Sequence, residues 1–328
     1  MKKRPPNAGI PCPPISFSPA VMSSSPRSPQ VTGLLYGLAA YGWWGFVAVY
    51  FRLVRHVAPP EILAHRIVWS VLVLAIIVAA KNRWGSIRAV LRERRMVIYL
   101  VASTILIAIN WFVFIWSVGS GHLLQASLGY YINPLVNVLF GYFLLGERLR
   151  PTETLSVAIA AFGVAWITWS VGSLPWVSLV LAVTFGLYGL VRKVARVPSL
   201  EGLTIETTIL LPLAGGYLAW LASRGALSFG HVDLKTDILL SLAGIITALP
   251  LLWFAHAVER LRLATVGVLQ YISPTIQFLF AVFLFHEPFG HERFVAFAFI
   301  WLALAIFSGS NLMLARRGLP TPEPEPEP

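Results

Sequence analysis

Two stretches of this chain, 140 residues apart, match each other without a gap. Tyr131–Glu147 reads YINPLVNVLFGYFLLGE and Tyr271–Glu287 reads YISPTIQFLFAVFLFHE, and eight of the 17 aligned positions are identical. Identities among Leu and Phe carry little information between apolar segments, but the shared tyrosine, proline and glutamate carry more. The match therefore predicts that the chain contains an internal duplication.

Apolar segments separated by short polar loops fill the chain between the two tails. The sequence is 57% hydrophobic and 12% charged, whereas a soluble domain carries roughly 25% charged residues. Each segment approaches the roughly 20 residues that a helix needs to cross a bilayer, where the backbone must satisfy its own hydrogen bonds. The predicted spans are 32–51, 62–80, 96–117, 123–145, 153–171, 174–191, 202–222, 237–257, 264–285 and 292–314.

Ten spans in two copies give five spans per copy, which is an odd number. The second copy must therefore enter the membrane from the opposite side, and such inverted repeats place a site near the midplane between them. We predict an all-α integral membrane protein with ten transmembrane helices in two inverted five-helix repeats. The predicted divisions are a disordered basic Pro/Ser-rich tail (1–31), the first repeat (32–171), the second repeat (172–314) and a disordered Pro/Glu tail (315–328).

The positive charges are distributed unequally between the two sides of the membrane. With the N-terminus inside, 19 of the 25 Lys and Arg residues lie in cytoplasmic segments, five lie on the other side, and Arg66 lies within a span. Cytoplasmic loops carry such an excess of Lys and Arg. We therefore predict a multi-pass protein of the cytoplasmic membrane with both termini in the cytoplasm.

Polar side chains recur on one face of the fourth and ninth spans at helical spacing. The 140-residue offset relates the two sets, so we expect both to line a central substrate cavity. The alternative is hydrogen bonding between helices, worth about 0.6 kcal/mol per bond. Pro134 and Pro274 are predicted to lie mid-span, where they either kink helices around a cavity or serve packing. The substrate-binding candidates on the two faces are Tyr130, Asn133, Asn137, Gln270, Ser273 and Gln277.

Four further polar residues within spans are candidates for function. Glu206 is the candidate for proton or cation coupling, because a carboxylate inside a span is costly and usually functional; the alternative is an interfacial pair with a loop cation such as Arg224. His65 and Arg66 either line the outer vestibule, or Arg66 reaches outward to the headgroups. Asn110 on the third span is a weaker candidate for the cavity wall.

Several classes of function lack support in the sequence. Cys12 is the single cysteine, so no intramolecular disulfide and no site built on several thiolates is possible. We expect no metal, no cofactor and no nucleic acid, because the basic residues sit in loops that set topology. No enzyme motif or Walker loop is present. The expected partners are a small-molecule substrate, protons and membrane lipid, with a monomer and a homodimer both open.

The motifs together resemble one transporter family, the RarD branch of the EamA-type drug/metabolite transporter superfamily. The resemblance covers about residues 32–314. It implies a ten-helix permease that exports or exchanges small metabolites, and it supplies no binding residue to carry over. An intramembrane enzyme, a sensory or structural membrane protein and a channel remain the alternatives. The matching segments are Glu61–Ser70, Asn110–Trp111, Phe114–Trp116, Ala126–Asn137, Gly186–Lys193, Ile205–Thr207, Leu210–Pro212, Arg260–Leu263 and Phe297–Trp301.

Overall fold

The computed structural model describes residues 29–146, 148–258, 260–261 and 269–316, and these residues are overwhelmingly helical. The helix Ile272–Leu279 is followed directly by a π-helical segment, Phe280–Leu284. The helices are α1 (Pro29–Leu53), α2 (Pro59–Ala80), α3 (Trp84–Arg92), α4 (Arg94–Gly119), α5 (Leu123–Leu145), α6 (Pro151–Val171), α7 (Trp176–Ala195), α8 (Ser199–Ser223), α9 (Leu234–Val258), α10 (Ile272–Leu279) and α11 (His291–Arg316).

Among the described residues, ten apolar helices correspond one to one with the ten predicted spans. Eight of them are long and apolar enough to cross a membrane, and Ile272–Leu284 is a shorter apolar helix. The tenth, α5, has 23 residues. The predicted ninth span begins in residues 262–268, which lie outside the described residues. The prediction of an all-α, ten-helix membrane protein is confirmed.

The segment between the second and third spans contains a short helix that the hydropathy pattern does not reveal. α3 has nine residues, too few to cross a bilayer. Its Ile87 and Val90 are buried against Val78 and Leu100, whereas Arg88 and Arg92 are exposed. An amphipathic helix with a basic outer face is typical of a segment that lies along the membrane surface.

The two halves pack against each other according to a two-fold pattern. Equivalent helices pair directly, as α2 does with α8, α5 with α10, and α6 with α11. The remaining contacts come in matched pairs, because α1 packs on α9 and α10 just as α7 packs on α4 and α5. The hydrophobic core therefore draws on both halves, and neither half forms a separate bundle.

Glycines allow the closest of these helix pairs to approach. A Cβ at Gly129 of α5 would lie 2.6 Å from the carbonyl oxygen of Ser178 in α7, and one at Gly244 of α9 would overlap the backbone of Trp69 in α2. Small residues at such crossings bring backbones together and increase dispersion contacts, which matter most where lipid removes the hydrophobic driving force.

The two prolines are not equivalent in the structure. Pro134 lies inside α5, where it removes one backbone hydrogen bond. Pro274 lies in the first turn of α10, where its missing N–H would have no partner within that helix. The chain turns just before this point, at Gln270 and Tyr271. Leu269 is helical before this turn, and the break falls at Gln270, the residue whose carbonyl the missing N–H of Pro274 would have bonded. The role of Pro274 as a kink stays a prediction.

Candidate functional site

The polar face of α5 contacts α4 and α7. The Tyr130 hydroxyl donates to Asn110 Oδ1 at 3.2 Å, and Asn133 Nδ2 donates to the Ala182 carbonyl at 3.0 Å. Asn137 is exposed and donates to Asn133 Oδ1 at 3.2 Å. These side chains are therefore held by protein partners along one side of the bundle.

Asn110 is the centre of this hydrogen-bond network. It is 2% exposed, and its Nδ2 donates to the Leu181 carbonyl at 3.1 Å and to Thr184 Oγ1 at 3.0 Å. Its Oδ1 accepts the Tyr130 hydroxyl. One amide thus ties α4, α5 and α7 together, and a buried amide that is satisfied in this way stabilises the contact between helices.

The polar face of α10 contacts α1. Gln277 is 2% exposed, and its Nε2 donates to the Trp44 carbonyl and to Ser273 Oγ, both at 3.2 Å. Its Oε1 has no hydrogen-bond partner among the described residues. Gln270 is half-buried at the turn that precedes α10.

The structure does not bring the two polar faces together. The polar face of α5 meets α7, and the polar face of α10 meets α1, which is the helix equivalent to α7. No hydrogen bond joins the two sets within the described ranges. Hydrogen bonding between helices accounts for most of these amides. Their role in substrate binding stays a prediction.

A groove of about 540 Å³ lies where α5, α10 and α11 meet. It is mainly apolar, and the Tyr131 hydroxyl forms a 2.7 Å hydrogen bond with Thr275 Oγ1 at its edge. None of the predicted binding residues lines it. Its walls are Tyr131, Tyr271, Thr275, Phe278, Leu279, Trp301, Leu304, Ala305 and Ser308.

Arg66 points into the bundle and does not reach outward. Its Nε donates to Thr247 Oγ1 of α9 at 2.8 Å. Its guanidinium carbon lies 4.1 Å from the ring centroid of Trp111 on α4 and 5.7 Å from that of Phe51 on α1. Such stacking of a guanidinium on aromatic faces is attractive. These contacts hold Arg66 away from the headgroups, and its place in the outer vestibule stays a prediction.

His65 and Glu61 occupy the adjacent turns of α2. His65 is 5% exposed, lies against Phe229 with ring centroids 5.0 Å apart, and neither ring nitrogen has a partner among the described residues. Glu61 accepts hydrogen bonds from the Ser228 backbone at 2.6 Å and the Ser228 hydroxyl at 2.9 Å. The carboxylate thus fixes the loop after α8 onto the start of α2.

Glu206 belongs to a buried network with partners on two other helices. It is 1% exposed, and its Oε1 accepts from Ser103 Oγ of α4 at 2.6 Å. Its Oε2 accepts from the Tyr188 hydroxyl of α7 at 3.3 Å, and Arg192 Nη1 lies 3.6 Å from Oε1. The alternative of a pair with Arg224 is wrong, because Arg224 follows the opposite end of the same helix.

Arg192 is held in place by the local backbone. Its Nη2 donates to the Val197 and Pro198 carbonyls at 3.3 and 3.4 Å, and a Cβ at Gly202 would overlap the guanidinium. Because Gly202 has no side chain, the guanidinium of Arg192 can pass it and reach Glu206. In the sequence Arg192 follows the predicted span 174–191 and counts among the cytoplasmic cations; the structure extends α7 to Ala195 and so places Arg192 in its last turn.

Glu287 forms a second buried contact at the other end of the bundle. It is 8% exposed, and its carboxylate accepts the backbone N–H groups of Leu123 and Leu124, each at 2.8 Å. These are unpaired donors at the first turn of α5, where a negative charge is favourable. In the sequence, this glutamate is one of the identities shared by the two repeats. Its counterpart Glu147 lies outside the described residues.

Ten apolar helices with charged side chains buried between their two halves are the fold of a polytopic membrane protein, and the comparisons with known proteins place it among transporters. A family model described as the EamA-like transporter family matches residues 31–169. A crystal structure of a protein that is 23% identical shares the fold, with a TM-score of 0.56 over 88% of this chain and 99% of that chain.

Relatives match nearly the whole chain. Protein RarD of Escherichia coli is 43% identical over 285 residues, covering 87% of this chain and 96% of the relative. An uncharacterized transporter of Vibrio cholerae is 44% identical over 280 residues, covering 85% and 93%. Chloramphenicol-sensitive protein RarD of Pseudomonas aeruginosa is 32% identical over 295 residues, covering 88% and 98%. The chain therefore belongs to the RarD branch of the EamA-type drug/metabolite transporter superfamily, and the resemblance stated from its motifs is confirmed.

Proposed function

We propose that this membrane transporter is a secondary transporter that moves small metabolites or drugs across the cytoplasmic membrane by alternating access, as an exporter. The observation that carries the proposal is the interleaving of the two halves around buried polar groups. Arg66 of the first half contacts Thr247 of the second, and Glu206 of the second half contacts Ser103 of the first. Transporters with inverted repeats place their sites at such boundaries.

Two buried contacts give alternating access a physical basis. The network of Glu206 and Arg192 lies at the end of the bundle where α7 ends and α8 begins. The contact of Glu287 with Leu123 lies at the end where α5 begins, and the alternation of spans makes these two ends opposite. Opening one side at a time would break one contact while the other holds.

Glu206 is the coupling residue in this proposal. Protonation of its carboxylate removes the charge that Arg192 neutralises, so the ion pair weakens and α7 can separate from α8. The groups that face Glu206 are Arg192 and Tyr188 on α7 and Ser103 on α4. Release of the proton would restore the pair and return the transporter to its starting state.

Flux through purified protein in liposomes tests the proposal. Preloaded vesicles should take up radiolabelled solute by counterflow, with a rate that saturates as the solute concentration rises. Vesicles without protein are the control. Absence of flux for every solute in a panel of amino acids, nucleosides and amphenicols would leave a sensory or structural role. Flux that does not saturate would indicate a channel, and chemical conversion of the solute would indicate an enzyme.

The direction of transport needs a separate measurement. In inside-out vesicles, an exporter coupled to protons should accumulate solute when the lumen is acidic. Collapse of the gradient with a protonophore should stop accumulation but leave counterflow intact. Accumulation only in right-side-out vesicles would reverse the assigned direction.

A further inference from the structure

Arg66 is a charged residue inside a membrane span, and it has no ionic partner among the described residues. Within the described ranges, the pairs of opposite charge closer than 4.0 Å are Arg83 with Glu201, Arg150 with Glu153, and Arg192 with Glu206, so none includes Arg66. A central charge on a transmembrane helix costs roughly 2.5–3.5 kcal/mol on insertion scales. Such a residue is expected to have a function that requires its charge.

The hydrogen bonds of Arg66 leave part of its guanidinium unused. Nε donates to Thr247, which fixes the plane of the group. Neither Nη1 nor Nη2 donates to a described residue, and neither is among the fully buried unpartnered atoms, so both remain available to a ligand. Two parallel N–H groups on one planar fork match the two oxygens of a carboxylate.

Arg66 lies at the boundary between the two halves. It is the eighth residue of α2, about 10 Å from the start of that helix at 1.5 Å per residue. Its contacts come from α1, α4 and α9, two helices of the first half and one of the second. Tyr50 and Tyr130 lie close enough to interact electrostatically with the guanidinium. The surroundings are thus aromatic and uncharged.

We propose that Arg66 binds the carboxylate of a small aromatic organic anion, whose ring packs against the aromatic side chains around the guanidinium. The inference rests on the proposed transport function and adds the substrate class. The lone charge accounts for the anion, because a substrate carboxylate would supply the missing counter-ion. Phe185, which contacts Tyr130 with ring centroids 6.0 Å apart, is exposed and extends the apolar surface beside these side chains.

Binding to purified protein in detergent tests the proposal without any measurement of flux. The probes are benzoate, phenylacetate and indole-3-acetate, each compared with its own neutral amide, and inorganic phosphate. The carboxylates should raise the unfolding temperature and bind in calorimetry. The amides should bind about 10- to 100-fold more weakly, which is the range expected for hydrogen bonds to a charged group.

Three variants locate the binding. Arg66→Gln should remove the preference for carboxylate over amide, and Arg66→Lys, which keeps the charge but loses the fork, should weaken carboxylate binding about tenfold or more. Should Arg66→Gln fail to fold, the lysine variant decides. Arg224→Gln is the matched control, because Arg224 is exposed and lies over the Trp220 ring at 5.9 Å. It should bind as the wild type does.

The results distinguish this inference from the proposed function. Equal binding of acids and amides, binding of phosphate alone, no binding of any carboxylate, or wild-type binding by both Arg66 variants would overturn the carboxylate site. Saturable flux of the carboxylates that is unaffected in Arg66→Gln would overturn it as well and leave the transport function standing. Carboxylate binding that depends on Arg66, in a protein that shows no flux, would support the binding site and contradict the proposed transport function.

Discussion

Tyr131 and Tyr271, which the internal repeat makes equivalent, stack on each other with ring centroids 6.5 Å apart and planes 23° apart. A two-fold axis relates the two copies, and a residue can touch its own equivalent only if both lie next to that axis. The pseudo-two-fold axis therefore runs between α5 and α10. Ser127 supports the same contact, because its hydroxyl donates to the Pro274 carbonyl at 2.8 Å. The predicted polar faces lie to either side of this axis.

Substitution of Glu206 tests the coupling role. Glu206→Gln cannot exchange a proton, so transport should lose its dependence on pH and on the proton gradient, while counterflow at constant pH persists. The control is Glu153→Gln, whose carboxylate pairs with Arg150 at the start of α6. Unchanged transport with an unchanged pH profile would remove Glu206 from the mechanism.

The stability of the same ion pair can be measured separately. Glu206→Gln leaves the charge of Arg192 without compensation, which should cost on the order of 3–5 kcal/mol. The double variant Glu206→Gln with Arg192→Gln should recover part of this loss, because no buried charge remains. Unfolding of the wild type, of Glu206→Gln, of Arg192→Gln and of the double variant in detergent gives the coupling energy. Additive losses would mean that the pair does not contribute to stability.

Glu287 should stabilise the protein through the first turn of α5. Glu287→Gln keeps the size of the side chain but can accept only one of the two backbone N–H groups of Leu123 and Leu124 well. We expect a loss of about 1–3 kcal/mol in unfolding free energy. Glu292→Gln, an exposed residue in the first turn of α11, is the control. Equal stability of the two variants would contradict the capping role.

Gly129 should be required for the close approach of α5 to α7. In Gly129→Ala the new methyl group meets the Ser178 carbonyl at 2.6 Å, so the helices must separate, at a cost of about 1–3 kcal/mol. Gly189→Ala is the control, because a Cβ there meets nothing within 4 Å. It should be neutral or stabilising by up to about 1 kcal/mol. Thermal unfolding compares the two, and a neutral Gly129→Ala would rule out this packing.

Labelling of single cysteines tests the inverted topology. In a Cys12→Ser background, a membrane-impermeant maleimide should label Glu292→Cys on intact cells and Arg148→Cys only after permeabilisation. Both positions are exposed. Labelling of both from the same side would mean that the repeats are not inverted. A reversed pattern would keep the inversion but place the termini outside.

The ten helices and their ends could be predicted because the information is local. A helix that crosses a bilayer needs about 20 apolar residues, and its backbone groups must form hydrogen bonds within the helix. Hydropathy alone therefore locates the ends of α2 and α4 to within three residues. α3 escaped this reasoning because it is short and amphipathic. The turn at Gln270 and Tyr271 was not predicted because an apolar run does not show where a helix breaks within it.

The sequence by itself determined the number of spans, the duplication and the rarity of charges such as Arg66 and Glu206 inside the membrane, since these follow from composition and period along one helix. Only the tertiary structure decided which partner each polar group meets. Helical spacing says which residues share a face, but the helix opposite that face comes from the other half of the chain. For that reason Glu206 meets Ser103, Asn133 meets the backbone of α7, and Arg66 meets Thr247 and has no counter-ion among the described residues.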